Sequence, residues 1–143
     1  MFNAIEVLAS GLSAARMRVN VLASNVANAE TTRTEEGGPY QRRDVLQVAR
    51  SVSGGGFDSV LDRVSLARPS IQAVIKDESP PKMVFKPGHP DADENGNVAF
   101  PNINVVTTMT DLMSASRLYQ ANVTALETAR KMAQDAAGIS IRF

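Results

Sequence analysis

The chain has 143 residues, fifteen basic side chains against fifteen acidic ones, and no cysteine. Zero net charge removes any electrostatic pull toward nucleic acid or an anionic membrane, and the missing cysteine excludes a disulfide framework and a thiolate metal site. The length suits one domain, or a small domain with helical extensions, and an aromatic content of 5% without tryptophan argues against a large, densely packed enzyme core.

The first predicted element is a long helix. Residues 4–29 carry a heptad repeat, with Ile5, Leu12, Val19 and Val26 at one seam position and Leu8, Ala15, Leu22 and Ala29 three residues on. In a chain that is 43% hydrophobic, eight apolar seam positions would arise by chance about 0.1% of the time, or about 1% after a free choice of register. The pattern predicts about 26 residues of helix, roughly 40 Å long. The helix should end near Asn28–Thr32, with an asparagine in the left-handed cap conformation. The opening residues lack a basic leader, and Glu6, Ser10, Ser13, Arg16 and Arg18 interrupt any apolar run, so no secretory signal is expected. No stretch approaches the ~20 apolar residues of a membrane span, so no direct membrane insertion is expected.

The middle differs in character. All seven prolines lie between Pro39 and Pro101, and Glu35–Pro39 and Gly54–Gly56 are breakers. Ser70–Lys76 alternates, with Ile71, Ala73 and Ile75 on one face, as a strand would. Met83-Val84-Phe85 and Val98-Ala99-Phe100 flank Asp93-Glu94-Asn95-Gly96-Asn97, whose Asn-Gly step is a strong hairpin turn signal because both central residues tolerate positive φ. Residues 41–68 are ambiguous, with disorder allowed around the triple glycine.

A second helix is predicted from about Val106 to Ala137, with Met109, Leu112, Tyr119, Val123 and Leu126 as its apolar stripe. Asp111 near its start and Arg130 and Lys131 near its end suit the helix dipole, and Gly138 is its expected stop. Ile139–Phe143 alternates and is read as a short extended tail. The fold class is therefore α+β: long terminal helices packed as an antiparallel coiled-coil-like pair around a small β-rich or loop unit. The expected parts are residues 1–32, 33–104 and 105–143. Seams of this length need a partner surface, so the expected subunit and helix interface comprises Ile5, Leu8, Leu12, Val19, Leu22, Val26, Met109, Leu112, Tyr119, Val123 and Leu126. Asn25 and Asn122 join it, with at least one expected to bond across a helix–helix contact and fix register. The alternative is that both stripes are only the core of an ordinary monomeric α+β domain.

Three other features point toward chemistry. Asp91-x-Asp93-x-Asn95-Gly96 matches the first half of an EF-hand calcium loop, yet its twelfth position is Asn102 where a bidentate Glu is required, and the prolines on both flanks exclude the two helices. A small calcium-binding regulatory module using the Asp91–Asn102 loop is the alternative function; a hairpin turn is the simpler account. His89 is the only histidine and has no second metal ligand near it in sequence. Paired with Asp91 or Asp93 it would be a general base, but no nucleophile accompanies it. Gly54–Gly56 lacks the Lys-Ser/Thr of a phosphate loop. Catalytic residues, metal and cofactor are therefore all expected to be absent.

The residues resemble a known family. Leu12-Ser13-Ala14 through Arg18, then Val19-Asn20-Val21-Leu22-Ala23-Ser24-Asn25-Val26-Ala27-Asn28-Ala29, is similar to the N-terminal signature of the axial proteins of the bacterial flagellum, the rod, hook and hook-associated proteins. Gly38-Pro39-Tyr40, Ser79 through Asp93, Pro101 through Val106 and Ser114 through Val123 resemble the proximal rod members. The likeness covers nearly everything except residues 47–68, and it departs at Asn97, where Tyr is common, and at Thr108, where Glu is common. It implies a non-enzymatic structural subunit without cofactors, exported unfolded by the flagellar type III apparatus without a cleaved signal and polymerised in the periplasm into the torque-transmitting rod. The implied partners are its own copies, other proximal and distal rod proteins and the adaptor joining rod to membrane ring. The terminal helices would form the inner wall, with the middle unit further out.

Overall fold

In the computed structural model, residues 2–51 and 67–140 are described. Helix α1 spans Phe2–Ala27, followed by β1 at Arg43–Ser51, β2 at Ala67–Lys76, β3 at Lys82–Phe85 and β4 at Asn97–Phe100. Helix α2, Val105–Ser140, closes the order. Strands β1 and β2 form one two-stranded antiparallel sheet and β3 and β4 another. The class is α+β. No described helix is long and apolar enough to cross a membrane.

Helix α1 begins and ends about where its heptads do, but its exit differs from expectation. Among the described residues no non-glycine residue has positive φ, so Asn28 does not take a left-handed cap. Its side chain closes the helix instead: Nδ2 donates to the Ser24 carbonyl at 2.9 Å, and Oδ1 accepts from the Thr31 hydroxyl at 3.2 Å. An amide able to satisfy a terminal carbonyl removes the need for a strained backbone. Gly138 is a second correction. It lies inside α2 without positive φ, because one helical glycine costs only about 1 kcal/mol. Ile139 and Ser140 are therefore helical rather than extended, while 141–143 lie outside the described residues.

Strand β1 occupies part of the stretch that the sequence left ambiguous; the triple glycine lies outside the described residues. β1 pairs with β2 through a register shift between Leu46 and Gln47, where Leu46 faces Ala73 but Gln47 faces Ile71. The unpaired Gln72 breaks the two-residue period. Ile71 is accordingly half-buried while Ala73 and Ile75 are exposed, so they do not share one buried face.

The β3–β4 pairing is the expected one, with Met83 opposite Ala99 and Val84 opposite Val98. Val98 is 0% exposed. Only one of the two central residues uses the left-handed region. Gly96 has φ of 77° but Asn95 stays negative, and the Gly96 amide donates to the Asp93 carbonyl at 2.9 Å. This is one reverse turn followed by a left-handed glycine. A Cβ at Gly96 would lie 2.9 Å from Phe85 Cε2 and 3.1 Å from Pro87 Cβ. Gly96→Ala is expected to destabilise the chain by about 1–3 kcal/mol, from lost glycine freedom plus crowding, read by urea denaturation. A midpoint unchanged from the parent would show that the loop relaxes freely.

The core is thin. Its buried apolar side chains are Ala14, Ala15, Val21, Leu22, Tyr40, Val98, Ala115 and Leu126. Large apolar residues such as Phe85, Val106, Met113 and Met132 stand exposed.

Candidate assembly interface

Helix α1 packs against α2 and also against β1 and β2. Along its expected seam, Leu22 and Ala15 are buried, and Ile5, Leu8, Leu12, Val19 and Val26 are half-buried. The deepest positions also include Ala14, Val21 and Asn25, a second line that the heptad missed. Two neighbours on one helix cover a stripe wider than the two positions per heptad of a coiled-coil seam. Gly11 marks where they meet. A Cβ there would lie 3.6 Å from the Asn122 amide nitrogen on α2 and 3.9 Å from Pro69 on β2. An exposed ion pair, Glu6 with Arg68, ties the same helix to β2.

On α2 the covered positions include Thr108, Leu112, Ala115, Tyr119, Asn122, Val123 and Leu126. Their steps of three and four make one helical face. Met109 lies outside this face and is 49% exposed. One residue turns a helix by about 100°, so with Thr108 buried, Met109 is carried off the covered face. It joins Val106, 77% exposed, and Met113 at i, i+3 and i+7 spacing, an apolar stripe pointing away from α1.

Asn25 faces the sheet rather than the second helix. It is 1% exposed, but its bonds do not cross the helix pair. Its Nδ2 donates to the Arg43 carbonyl at 2.7 Å, and the Arg43 amide donates back to its Oδ1 at 2.9 Å. The Tyr40 hydroxyl donates to the same Oδ1 at 3.1 Å and lies 3.2 Å from Ser24 Oγ. A side-chain amide thus pairs with a backbone edge as a neighbouring strand would, fixing the end of α1 to the start of β1. The Tyr40 amide in turn donates to the Thr31 carbonyl at 3.0 Å. Asn122 does sit at the helix–helix contact, against Gly11.

The loop read against a calcium site spends its carboxylates internally. Asp91 accepts from the Thr32 hydroxyl at 2.8 Å and pairs with Arg33 at 2.6 Å. Asp93 Oδ1 accepts the amides of Asn95 at 2.9 Å and Asn97 at 2.8 Å. His89 Nδ1 accepts the Asp91 amide at 3.1 Å, and its ring meets Phe100 edge-on at 6.1 Å between centroids. Among the described residues no three His, Cys, Asp or Glu side chains converge on a possible metal position.

An open groove of about 540 Å³ lies between the Thr34–Arg43 loop, Lys76–Ser79 and Pro101. The hydrogen bond and charge of Lys76 hold the Glu36 carboxyl below its usual range. Bonds from Ser79 do the same for Asp77. Both are ionised at neutral pH and have no proton to give, so neither suits a general acid.

Comparison with known proteins follows this geometry. A family model described as flagella basal body rod protein matches residues 5–33, and one for the C-terminal part of flagellar basal body rod FlgEFG proteins matches 94–139. These are α1 with its exit, and β4 with α2. The chain is 36% identical to the flagellar basal-body rod protein FlgC of Borreliella burgdorferi, covering 97% of each. It is 37% identical to that of Salmonella typhimurium and 34% identical to that of Bacillus subtilis, covering 92% of each chain in both cases. The chain belongs to the FlgC family of flagellar basal-body rod proteins. Within that FlgC frame, the two matched segments are those whose helices pack on one another, and the middle sheet β1–β2 falls between them.

Proposed function

We propose that this protein is a structural, non-enzymatic subunit of the proximal rod, exported by the flagellar type III apparatus and polymerised in the periplasm through its terminal helices to transmit torque. Its partners are its own copies, the other rod proteins and the rod-to-ring adaptor. Residues 1–32 and 105–143 act as the assembling parts, packed as an antiparallel coiled-coil-like pair, and 33–104 as the outer unit. The observation that carries this reading is the Val106–Met109–Met113 stripe, which stands in water on the side of α2 away from α1. A subunit surface of this kind is left apolar because a neighbour covers it. Membership in the FlgC family supports it independently.

In assembly the interface set divides in two. Ile5, Leu8, Leu12, Val19, Leu22, Asn25, Val26, Leu112, Tyr119, Asn122, Val123 and Leu126 hold the subunit's own elements together and present the helix pair, while Met109 faces the neighbour. The isolated chain should fold yet be less helical than α1 and α2 together imply, since the parts of long helices that lack a packing partner fray in water. Circular dichroism at low concentration tests this. A cooperative melt with the full helix content would favour a self-sufficient monomer. Electron microscopy of basal bodies carrying a tagged chain locates the subunit directly; label outside the rod would end the proposal.

A further inference from the structure

Asn95-Gly96 is the chain's only Asn-Gly step, and Asn95 is exposed. We propose that Asn95 is a latent site of spontaneous deamidation and that the turn built on Asp93 holds it closed. In such a step the glycine backbone nitrogen attacks the asparagine Cγ. The N–Cγ bond forms, the Cγ–Nδ2 bond breaks, and the amide leaves as ammonia with the proton lost by the glycine nitrogen. Water then opens the resulting succinimide at either carbonyl, giving aspartate or a β-linked isoaspartate. The reaction needs solvent access, which Asn95 has. It also needs the Gly96 nitrogen free to swing over Cγ, and reacting atoms held apart do not react.

Here that nitrogen is tied. The Gly96 amide donates to the Asp93 carbonyl at 2.9 Å, the Gly96 carbonyl accepts the Lys86 amide at 2.8 Å, and the Asp93 amide donates to the Asn97 carbonyl at 2.8 Å. The Asp93 carboxylate adds the amides of Asn95 and Asn97 on one oxygen. The peptide groups on both sides of Asn95 are therefore fixed, and rotation of its ψ toward attack breaks several of these bonds together. Phe85 and Pro87 occupy the space that a Cβ at Gly96 would need, so the loop is closely packed on that side. Deamidation accordingly proceeds only from the opened turn, at a rate set by that state's population. The product places a new negative charge beside Asp93 and Glu94. In the isoaspartyl form it adds a backbone methylene next to the β3–β4 register. Asp93, half of an apparent calcium motif, is on this account a positioning residue for a turn that protects its neighbour.

The experiment incubates the full chain and a synthetic Asp91–Phe100 peptide in mildly alkaline buffer, with the modification located by peptide mapping and mass spectrometry. The full chain should deamidate at Asn95 at least about tenfold more slowly than the peptide. Asp93→Ala, losing charge-assisted bonds to two amides, should accelerate the reaction by about tenfold. Asp93→Asn keeps an oxygen acceptor and should remain slow, which separates hydrogen bonding from charge. Adding urea to the parent chain should raise its rate to that of the peptide, a reading that does not depend on any variant folding. Equal rates for chain and peptide, or an Asp93→Ala rate equal to the parent's, would overturn the proposal.

Discussion

Replacing Asn25 by Leu is expected to cost the folded chain about 3 kcal/mol or more, because one substitution strips partners from three groups at a buried site. The Arg43 amide and carbonyl and the Tyr40 hydroxyl all bond the Asn25 side chain, and Leu offers none of them anything. Leu is branched like Asn and bulkier, so no cavity opens and lost packing does not explain the effect. Tyr40→Phe removes only one of the bonds and should cost about 1 kcal/mol. Asn25→Asp keeps an acceptor for Arg43 and Tyr40 but sets a carboxylate oxygen against the Arg43 carbonyl, so it should fall close to the Leu variant. Urea denaturation followed by circular dichroism measures all three. A loss under about 1 kcal/mol for Asn25→Leu would mean that the start of β1 finds other partners.

The second large effect separates folding from assembly. Leu22→Asp and Leu126→Asp each bury an unpaired charge in the thin core, at positions 8% and 9% exposed. Each should destabilise the chain by about 3 kcal/mol or more, and cells carrying either should build no rod. Met109→Asp is the contrasting case. Its side chain already meets water, so the isolated chain should keep its stability within about 0.5 kcal/mol. Assembly should nonetheless fail, because the charge stands on the surface proposed to meet a neighbour. Swimming assays and basal-body microscopy read the outcome. Normal motility with Met109→Asp would remove the Val106–Met113 stripe from the proposed interface.

What the sequence disclosed follows from which physics is local. Helix α1 was legible because its period is long and uninterrupted, and the β3–β4 pairing because two apolar runs flank an Asn-Gly step. The axial-protein signature from Leu12 to Ala29 carried the family, and the comparisons agree. What failed depended on neighbours distant in sequence. Nothing local distinguishes Asn25 as a partner of Arg43 from Asn25 as a seam amide, since the two residues meet only after the chain has doubled back. The heptad on α1 hid its second covered line because a seam template assumes one neighbour where the fold supplies two. On α2 a mixed stripe allowed Met109 to be grouped with Leu112, though Thr108 fills the inward position. A threonine at a buried site is an inconspicuous signal; here it returns its hydroxyl to the Asn104 carbonyl at 2.7 Å. Strand β1 stayed ambiguous because its apolar residues come as adjacent pairs, Val45-Leu46 and Val48-Ala49, which lack the alternation a strand is recognised by.

The exposed apolar surface has a character set by its side chains. Met17, Met83, Met109, Met113 and Met132 all stand among its large exposed residues. Methionine is unbranched, with three rotatable bonds and a polarisable sulfur, so a surface made from it is soft and can refit against differently shaped partners. Leucine or isoleucine at the same positions would select one mould. The cost is that no single neighbour is gripped tightly by shape alone. A subunit that meets several non-identical neighbours along one shaft gains from that compliance, and orientation must then come from stiffer parts such as the Asn25–Arg43 clasp.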